Sequence, residues 1–287
     1  CSRKYFKKNM KKNKRSILKS ILKDLNKGFK RIYWFLYTYL KYHFLTIKFN
    51  LFKKTISFNN ISLLLPSRER SKKFERMLIS LKNKCFNINR IEILLLLDID
   101  DKEIVNYKNI VNNNFKDLNI KLIVKDLKTH AIRNNFLASN ASGEILFPVN
   151  DDMIFISNDW DKFIDIEFSK IDKNKPYCLW INSGKKYNYL HCDFPILNKA
   201  WYEKLGYVGS EFFNFWYLDT WICDLSFKSK KFLVTNKITV DQLSADTHEN
   251  EVDNTFLKNK KDGIPEKDFL IWNKTENNRK EDANKLI

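Results

Sequence analysis

The sequence predicts an α/β fold with a doubly wound β-sheet, and three observations support this prediction. Short, continuous apolar segments recur along residues 59–287, as is typical of strands that are buried on both faces of a sheet. Segments with apolar residues at helical spacing alternate with them. Polar and acidic residues directly follow several of the apolar segments, where the loops at one edge of such a sheet would lie.

The first strand and helix are predicted within residues 60–81. The run NISLLL at 60–65 has the length of a buried strand, and Pro66 predicts the beginning of a loop. From Phe74 to Leu81 the apolar residues are spaced by three and four positions, which predicts a helix with one buried face.

Three further strands and a capped helix complete the predicted first half of the sheet. The strands are the apolar runs at 91–97, 120–124 and 144–149, with a polar helix between the first two. Thr129 can cap a helix that extends to about Asn140, because a threonine hydroxyl accepts a hydrogen bond from a backbone N–H of the first turn.

The second half of the chain has a less regular pattern. Helices are predicted near 161–171 and at 218–225, and strands near 177–181 and 232–240. The segment 254–287 is polar apart from one apolar patch, so it is expected either to wrap around the domain or to pack on a partner.

The positive charge is concentrated at the N-terminal end. The net charge of the chain is +18, yet residues 1–58 hold 17 of the 52 basic residues and one acidic residue, which leaves residues 59–287 at +2. A nearly neutral body argues against a nucleic-acid enzyme, so no nucleic-acid partner is expected. The basic, aromatic and partly helical segment 1–58 suits either an anionic membrane surface or a solvated arm.

Cysteine usage and missing motifs exclude several kinds of site. Five scattered cysteines with no C-x-x-C pair argue against a disulfide scaffold and a zinc ribbon, and they favour a reducing compartment such as the cytoplasm. The chain lacks the glycine-rich dinucleotide motif, the P-loop and the H-E-x-x-H helix.

Acidic residues follow two of the predicted strands. Asp98 follows the second strand, and Asn150, Asp151 and Asp152 follow the fourth. Parallel strands bring their carboxyl ends to one edge of a sheet, and adjacent carboxylates there suit Mg²⁺ or Mn²⁺. Acids after strands are also common as loop residues or helix caps, so both interpretations stay open at this point.

These segments together resemble the GT-A glycosyltransferases of the large family 2 type, from Ile61 to about Asp253. The resemblance rests on ISLLLPSRERSKKFERMLISL (61–81), EILLLLD (92–98), AIRNNFLASNASGEILFPVNDDMIF (131–155) and LDTWICDL (218–225). The third segment is the most specific, because a basic-Asn helix, an apolar strand and an acidic pair are the usual approach to that family's metal motif. Asn150 departs from the family pattern, which has an acid at this position.

The resemblance implies a GT-A, Rossmann-like mixed sheet with helices on both faces. It further implies a metal-dependent enzyme that moves a sugar from a nucleotide-diphospho-sugar to a glycan, lipid-linked or other acceptor hydroxyl, with inversion. The domain would comprise a nucleotide-binding half at about 59–156, an acceptor half at 157–253 and a C-terminal extension at 254–287.

The resemblance also implies a set of donor-binding residues. Asp98 is expected to accept hydrogen bonds from the base or ribose. Arg133 is expected near the diphosphate or the acidic turn, with a salt bridge on its helix as the alternative. Asp152 and Asp151 are expected to hold Mn²⁺ or Mg²⁺. The expected donor-binding residues are Pro66, Ser67, Arg68, Asp98, Arg133, Asn150 and Asp151.

The catalytic base and a third metal ligand are expected in the acceptor half. In that family the base is an acid at the start of a helix, which is the position of Asp219, and Glu211 and Asp224 are competitors. His248 follows an apolar, strand-like stretch and is the expected third metal ligand, although a lone histidine is more often a surface residue. The literal Asp-x-Asp at 98–100 is a rival metal site.

Two other functions stay open. A non-catalytic, degenerate transferase that binds a membrane or a glycan would account for Asn150. A sugar nucleotidyltransferase is less favoured, because that class usually has a glycine-rich loop and a lysine after the first strand, and PSRERS has neither.

Overall fold

The computed structural model describes residues 36, 60–184, 191–243 and 254–287. The predicted basic segment 1–58, apart from residue 36, and His248 lie outside the described residues. Within the described ranges, every helix is too short or too polar to cross a lipid bilayer.

A mixed β-sheet forms the centre of the structure, as the resemblance implies, and it has eight strands within the described residues. Its strands are β1 (Ile61–Ser67), β2 (Ile91–Leu97), β3 (Asn119–Val124), β4 (Ile145–Pro148), β5 (Met153–Phe155), β6 (Cys178–Asn182), β7 (Ile196–Asn198) and β8 (Phe232–Gln242). They lie in the order β3-β2-β1-β4-β7-β6-β8-β5. The first four are parallel, β7 is antiparallel to β4 and β6, β8 is parallel to β6, and β5 is antiparallel to β8.

Helices cover this sheet and extend to the C-terminal end. They are α1 (Ser71–Lys84), α2 (Ile104–Asn109), α3 (His130–Ser139), α4 (Trp160–Phe168), α5 (Lys199–Leu205), α6 (Leu218–Ser229), α7 (Asn254–Lys261), α8 (Ile264–Lys274) and α9 (Glu276–Lys285). A 3₁₀ turn, Ile88–Arg90, precedes β2, and a π-helical turn, Ile110–Asn114, follows α2. Helix α3 packs on β1 and β2, α4 on β8, α6 on β6, and α9 on α6.

The central strands are apolar because neighbouring elements cover both of their faces. Every residue of β1 and β2 is buried, whereas residues along the edge strand β3 are partly or fully exposed. In the parallel register Leu64 pairs with Leu94 on one side and with Pro148 on the other. The carboxyl ends of β1, β2 and β4 therefore lie at the same edge of the sheet.

The first strand is longer than the sequence predicts. We expected a loop from Pro66, but β1 continues through Pro66 to Ser67, paired with β2. The carbonyl of Leu64 faces β4, where it accepts the N–H of Val149 at 3.0 Å, and Pro66 faces the same side two residues later. Since the pairing with β4 ends opposite Leu64, the missing N–H of Pro66 leaves no ladder bond unmade.

The C-terminal extension packs on the domain. Arg279 of α9 donates to Asp224 of α6 at 2.7 Å and lies 3.6 Å from the ring centre of Trp272. Tyr207 donates a hydrogen bond to Asp282. The predicted apolar patch is divided, because Ile271 and Trp272 pack against the core, whereas the other two side chains, Phe269 and Leu270, are exposed.

Replacing Gly143 by alanine should destabilise the fold. A Cβ atom at this position would lie 2.6 Å from Ser62 Oγ and 2.7 Å from the backbone nitrogen of Ser62 in β1, so the turn before β4 would have to move. We expect Gly143→Ala to lower the free energy of unfolding by about 1–3 kcal/mol in urea titrations. Asn113→Ala, at an exposed position of the π-helical turn, is the control and should change this free energy by less than about 0.5 kcal/mol. Equal stability of the two variants would contradict this packing.

Candidate active site

The ends of β1, β2 and β4 bring polar side chains together at one edge of the sheet. Ser67, at the end of β1, donates a hydrogen bond to Asp151 Oδ2 at 2.5 Å, and its Oγ lies 2.7 Å from the hydroxyl of Tyr107. Arg70 donates to Asp151 Oδ1 at 3.2 Å. Both oxygens of this carboxylate therefore have partners from the β1–α1 region.

Asp152 follows Asp151, and one of its carboxylate oxygens has no partner among the described residues. Both carboxylates are almost inaccessible, with exposed fractions of 2% for Asp151 and 6% for Asp152. Among the described residues, Asp152 Oδ1 has no hydrogen-bond partner. Burial, together with the negative charge of Asp151, raises the pKa of Asp152 to about 6. A bound divalent cation would satisfy that oxygen and favour the ionised form of both groups, so the two residues fit Mg²⁺ or Mn²⁺.

The second cluster is centred on Asp98, after β2. The buried carboxylate of Asp98 accepts hydrogen bonds at Oδ2 from Arg68 at 2.6 Å and from Arg133 at 2.9 Å. Arg68 also donates to both oxygens of the exposed Asp100, at 2.7 and 2.8 Å, and hydrogen bonds to Asp100 and then Asp98 raise the pKa of Arg68. Arg133 is thus paired with Asp98 and not with the acidic turn, and Nε of Arg133 is held by the carbonyl of Leu127 at 2.9 Å.

Asp98 and Asp100 are paired with arginine, which argues against the rival metal site at 98–100. Each carboxylate accepts charge-assisted hydrogen bonds, so neither has the unmet acceptor that Asp152 has.

Backbone hydrogen bonds fix the loop after β1. The N–H of Glu69 donates to Asp101 at 2.9 Å, that of Arg70 to the Tyr107 hydroxyl at 2.9 Å, and that of Ser71 to Glu103 at 2.7 Å. Glu69 has a φ of 51°, a left-handed conformation that these contacts maintain. Sequence reasoning missed Tyr107 and Arg70, because one buried tyrosine in a polar helix and one arginine in a charged loop carry no distinguishing pattern.

Asp219 lies in the first turn of α6 and is paired with His191. The Nε2 atom of His191 lies 3.1 Å from Asp219 Oδ2 and 3.6 Å from Asp193 Oδ1. Burial alone would lower the pKa of His191, but the hydrogen bond and charge of Asp219, with the charge of Asp193, raise it to about 8. Burial alone would raise the pKa of Asp219, but the hydrogen bonds from His191 and Thr220 outweigh it, so this pKa is lowered.

His191, the partner of Asp219, precedes a strand that pairs with β4, the strand before the acidic turn. Strand β7 is antiparallel to β4, so the residues that precede β7, including His191 and Asp193, approach the end of β4 that Asp151 and Asp152 follow. One ligand atom from each of His191, Asp193 and Asp219 lies within 4.8 Å of the others, so this cluster is a second group that could hold a cation.

The competing acids have other roles. Asp224 accepts a hydrogen bond from Arg279, which docks α9 on α6, and another from Lys228 of its own helix. Glu211 is exposed and accepts a hydrogen bond from Asn135 at 3.2 Å.

His130, which sequence reasoning missed, interacts with charges of both clusters. It is the first residue of α3, and its ring packs 5.5 Å from that of Phe215. Burial, followed by the positive charge of Arg133, lowers the pKa of His130 to about 4. The charge of Arg70 also lowers this pKa, whereas that of Asp219 raises it. His130 is therefore neutral at pH 7.

Comparisons with known proteins give structural but not sequence relatives. No protein-family model matches the sequence, and no curated protein matches it. The mannosyltransferase PcManGT from Pyrobaculum calidifontis, solved with GDP-Man and Mn²⁺, superposes with a TM-score of 0.52 and 12% identity over 74% of this chain. S. aureus TarS superposes with a TM-score of 0.52 and 14% identity over 65% of this chain. A fragment of TarS, residues 1–349 with UDP, gives a TM-score of 0.50 and 15% identity over 65% of this chain.

The matched regions are parts of larger proteins. They cover 65% of the mannosyltransferase, 37% of TarS and 61% of the TarS fragment. At this low identity the superpositions establish the fold alone: the described chain has the GT-A-like fold that the sequence predicts.

Proposed function

We propose that the protein is a metal-dependent glycosyltransferase that moves a sugar from a nucleotide-diphospho-sugar to an acceptor hydroxyl, with inversion. The observation that carries this proposal is the unpartnered, buried oxygen of Asp152 beside Asp151 at the end of β4. These residues lie at the edge of a sheet whose fold is similar to that of a mannosyltransferase solved with GDP-Man and Mn²⁺.

The strand-end clusters support binding of the donor. Asp98 offers acceptor oxygens to the base or ribose, while Ser67 and Arg70 hold Asp151 in place. Asp152 and Asp151, with His248 as the proposed third ligand, would hold Mn²⁺ or Mg²⁺. When bound, the metal neutralises charge that develops on the departing nucleoside diphosphate.

Asp219 is the proposed general base. Its lowered pKa keeps the carboxylate ionised at neutral pH, ready to take the proton of the acceptor hydroxyl. The acceptor oxygen then forms the new bond to the anomeric carbon while the bond from that carbon to the diphosphate oxygen breaks. His191 holds the carboxylate in place through its hydrogen bond.

The nature of the acceptor and the place of action are further parts of the proposal. We propose a glycan or lipid-linked acceptor, and cytoplasmic action at an anionic membrane surface that the basic residues 1–58 contact.

The direct test is release of nucleoside diphosphate from a panel of UDP-, GDP- and dTDP-sugars with Mn²⁺, screened first by thermal shift and then by turnover. We expect one donor class to raise the unfolding temperature and to be turned over. No release from any donor by folded protein would contradict the proposed function.

Asp152→Asn should remove metal-dependent activity without weakening the fold. Ionised Asp152 is destabilising in the metal-free protein, because its pKa is raised, so the neutral amide should be at least as stable at pH 7. We expect nucleoside diphosphate release to fall at least about 100-fold and Mn²⁺ to stop raising the unfolding temperature. The control Asp126→Asn, an exposed aspartate after β3, should behave as wild type. Retention of Mn²⁺-dependent release by Asp152→Asn would place the metal elsewhere.

Asp219→Asn should abolish transfer while the donor still binds. A general base contributes about 10²–10⁴-fold, so we expect a loss of that size in the rate of transfer. The affinity for the nucleoside diphosphate in the presence of Mn²⁺, measured by calorimetry, should stay within about twofold of the wild-type value, because the proposed role of Asp219 is on the acceptor side. If Asp219→Asn stays active and Glu211→Gln does not, the base is Glu211.

The His191–Asp219 pair should make folding stability depend on pH. The pKa of His191 is about 8 in the folded protein and about 6.5 when unfolded, so the stabilisation is complete below pH 6.5 and is lost as pH rises through 8. Since both side chains are partly exposed, the pair should contribute only about 1 kcal/mol to the free energy of unfolding. Urea unfolding at pH 6 and pH 9 should show this loss in wild type and not in His191→Gln. An identical pH dependence in both proteins would contradict the ion pair.

A further inference from the structure

A buried carboxylate of the C-terminal extension binds the loop that leads to Asp219. Asp268 of α8 is fully buried. Its Oδ1 accepts hydrogen bonds from the backbone N–H of Asn214 at 2.9 Å and from the side-chain amide of Asn214 at 2.8 Å. Its Oδ2 accepts from the backbone N–H groups of Phe215 at 2.9 Å and Trp216 at 3.0 Å. One side chain thus fixes three consecutive peptide groups.

The same helix contacts the residue that begins α6. Tyr217 has a φ of 71°, a left-handed conformation that reverses the chain direction just before Leu218. Its ring stacks on Trp272 of α8, with ring centres 5.3 Å apart. Asp219 follows two residues after Tyr217. Helix α8 therefore sets the position and direction from which the proposed base projects.

Helix α3 holds the other end of this loop, which we define as residues 206–217. Asn135 accepts hydrogen bonds from the backbone N–H groups of Val208 at 2.9 Å and Gly209 at 3.0 Å. The N–H of His130 donates to the carbonyl of Asn214 at 3.3 Å. The loop is therefore fixed between α3, which carries the donor-side Arg133, and α8 from the C-terminal extension.

The loop also carries accessible aromatic side chains. Trp180, Trp201 and Trp221 are buried in the core and cannot stack on a sugar. Trp216 in the loop is partly accessible, and Phe212 is exposed. Accessible aromatic rings suit recognition of a sugar acceptor.

We propose that Asp268 is a positioning residue of the transfer reaction: by binding the backbone at residues 214–216, it holds the acceptor-side loop and Asp219 in the geometry that transfer requires. This inference rests on the proposed function. It assigns a catalytic purpose to the C-terminal extension, whose polar contacts would otherwise serve only to dock α8 and α9 on the domain.

The test compares Asp268→Asn with wild type in two reactions of the same donor. An asparagine amide would place N–H donors against backbone N–H donors and release part of the loop. We expect transfer to a p-nitrophenyl glycoside acceptor to fall about 100-fold, because small misplacement of a reacting group has effects of that size. Hydrolysis of the donor by water and calorimetric binding of UDP or GDP with Mn²⁺ should stay within about twofold of the wild-type values.

Amide hydrogen exchange at residues 214–216 should become faster in Asp268→Asn. Glu266→Gln, an exposed acid on the same helix, is the control and should match wild type.

A structural role alone predicts a different result. If transfer and donor hydrolysis fall together, or if the loop amides exchange faster while transfer is unchanged, the positioning role is wrong. If Asp268→Asn does not fold, Asn214→Ala decides, since it removes one of the four hydrogen bonds. Its transfer rate should fall about 3- to 10-fold with donor hydrolysis preserved, and an unchanged rate would overturn the inference. A wild-type protein that turns over no donor would instead contradict the proposed function itself.

Discussion

Two buried carboxylates at the end of β4 are the constraint on which the rest of the site depends. The charges of Asp151 and Asp152 repel each other, and burial together with the charge of Asp151 raises the pKa of Asp152. Ser67 and Arg70 compensate Asp151, which requires the loop after β1 to hold a left-handed turn, and Tyr107 supports that turn from α2. The unmet acceptor of Asp152 is then what a cation would satisfy. The conformation of the β1–α1 loop and the proposed metal site are thus two consequences of one electrostatic requirement.

In the proposed function, the Asp98 cluster is the part of the same sheet edge that would bind a nucleoside. Arginines hold the carboxylate of Asp98 before any donor arrives, so a base or ribose must compete with them. Arg133 is fixed by the carbonyl of Leu127, whereas Arg68 is more exposed and extends to Asp100 in solvent. Displacement of Arg68 toward Asp100 would free one side of Asp98 while Arg133 keeps its orientation. In the proposed function, Arg68, the more exposed of the two arginines, is therefore the one that a donor would displace.

Sequence predicts those parts of this structure that arise from local patterns. Runs of apolar residues identified the buried strands, and Thr129 caps α3 as expected, accepting the N–H of Ile132 at 3.2 Å. The three-residue strands β5 and β7 were missed, because so short a segment has no measurable periodicity. The pairing of His191 with Asp219 joins residues 28 positions apart through the fold, and no local signal specifies it. The acidic turn itself was predictable, because parallel strand ends converge wherever the strands pair in register.

Helix α3 couples the two sides of the proposed reaction. One turn of this helix presents Arg133 to Asp98 on the donor side, and Asn135 to the backbone of the acceptor-side loop. His130, the first residue of α3, donates its backbone N–H to the same loop, and the charge of Asp219 raises its pKa. A rigid helix cannot shift at one of these contacts without shifting at the others. In the proposed reaction, α3 therefore ties the position of Arg133 beside Asp98 to that of the acceptor-side loop, and Asp268 holds the same loop from α8.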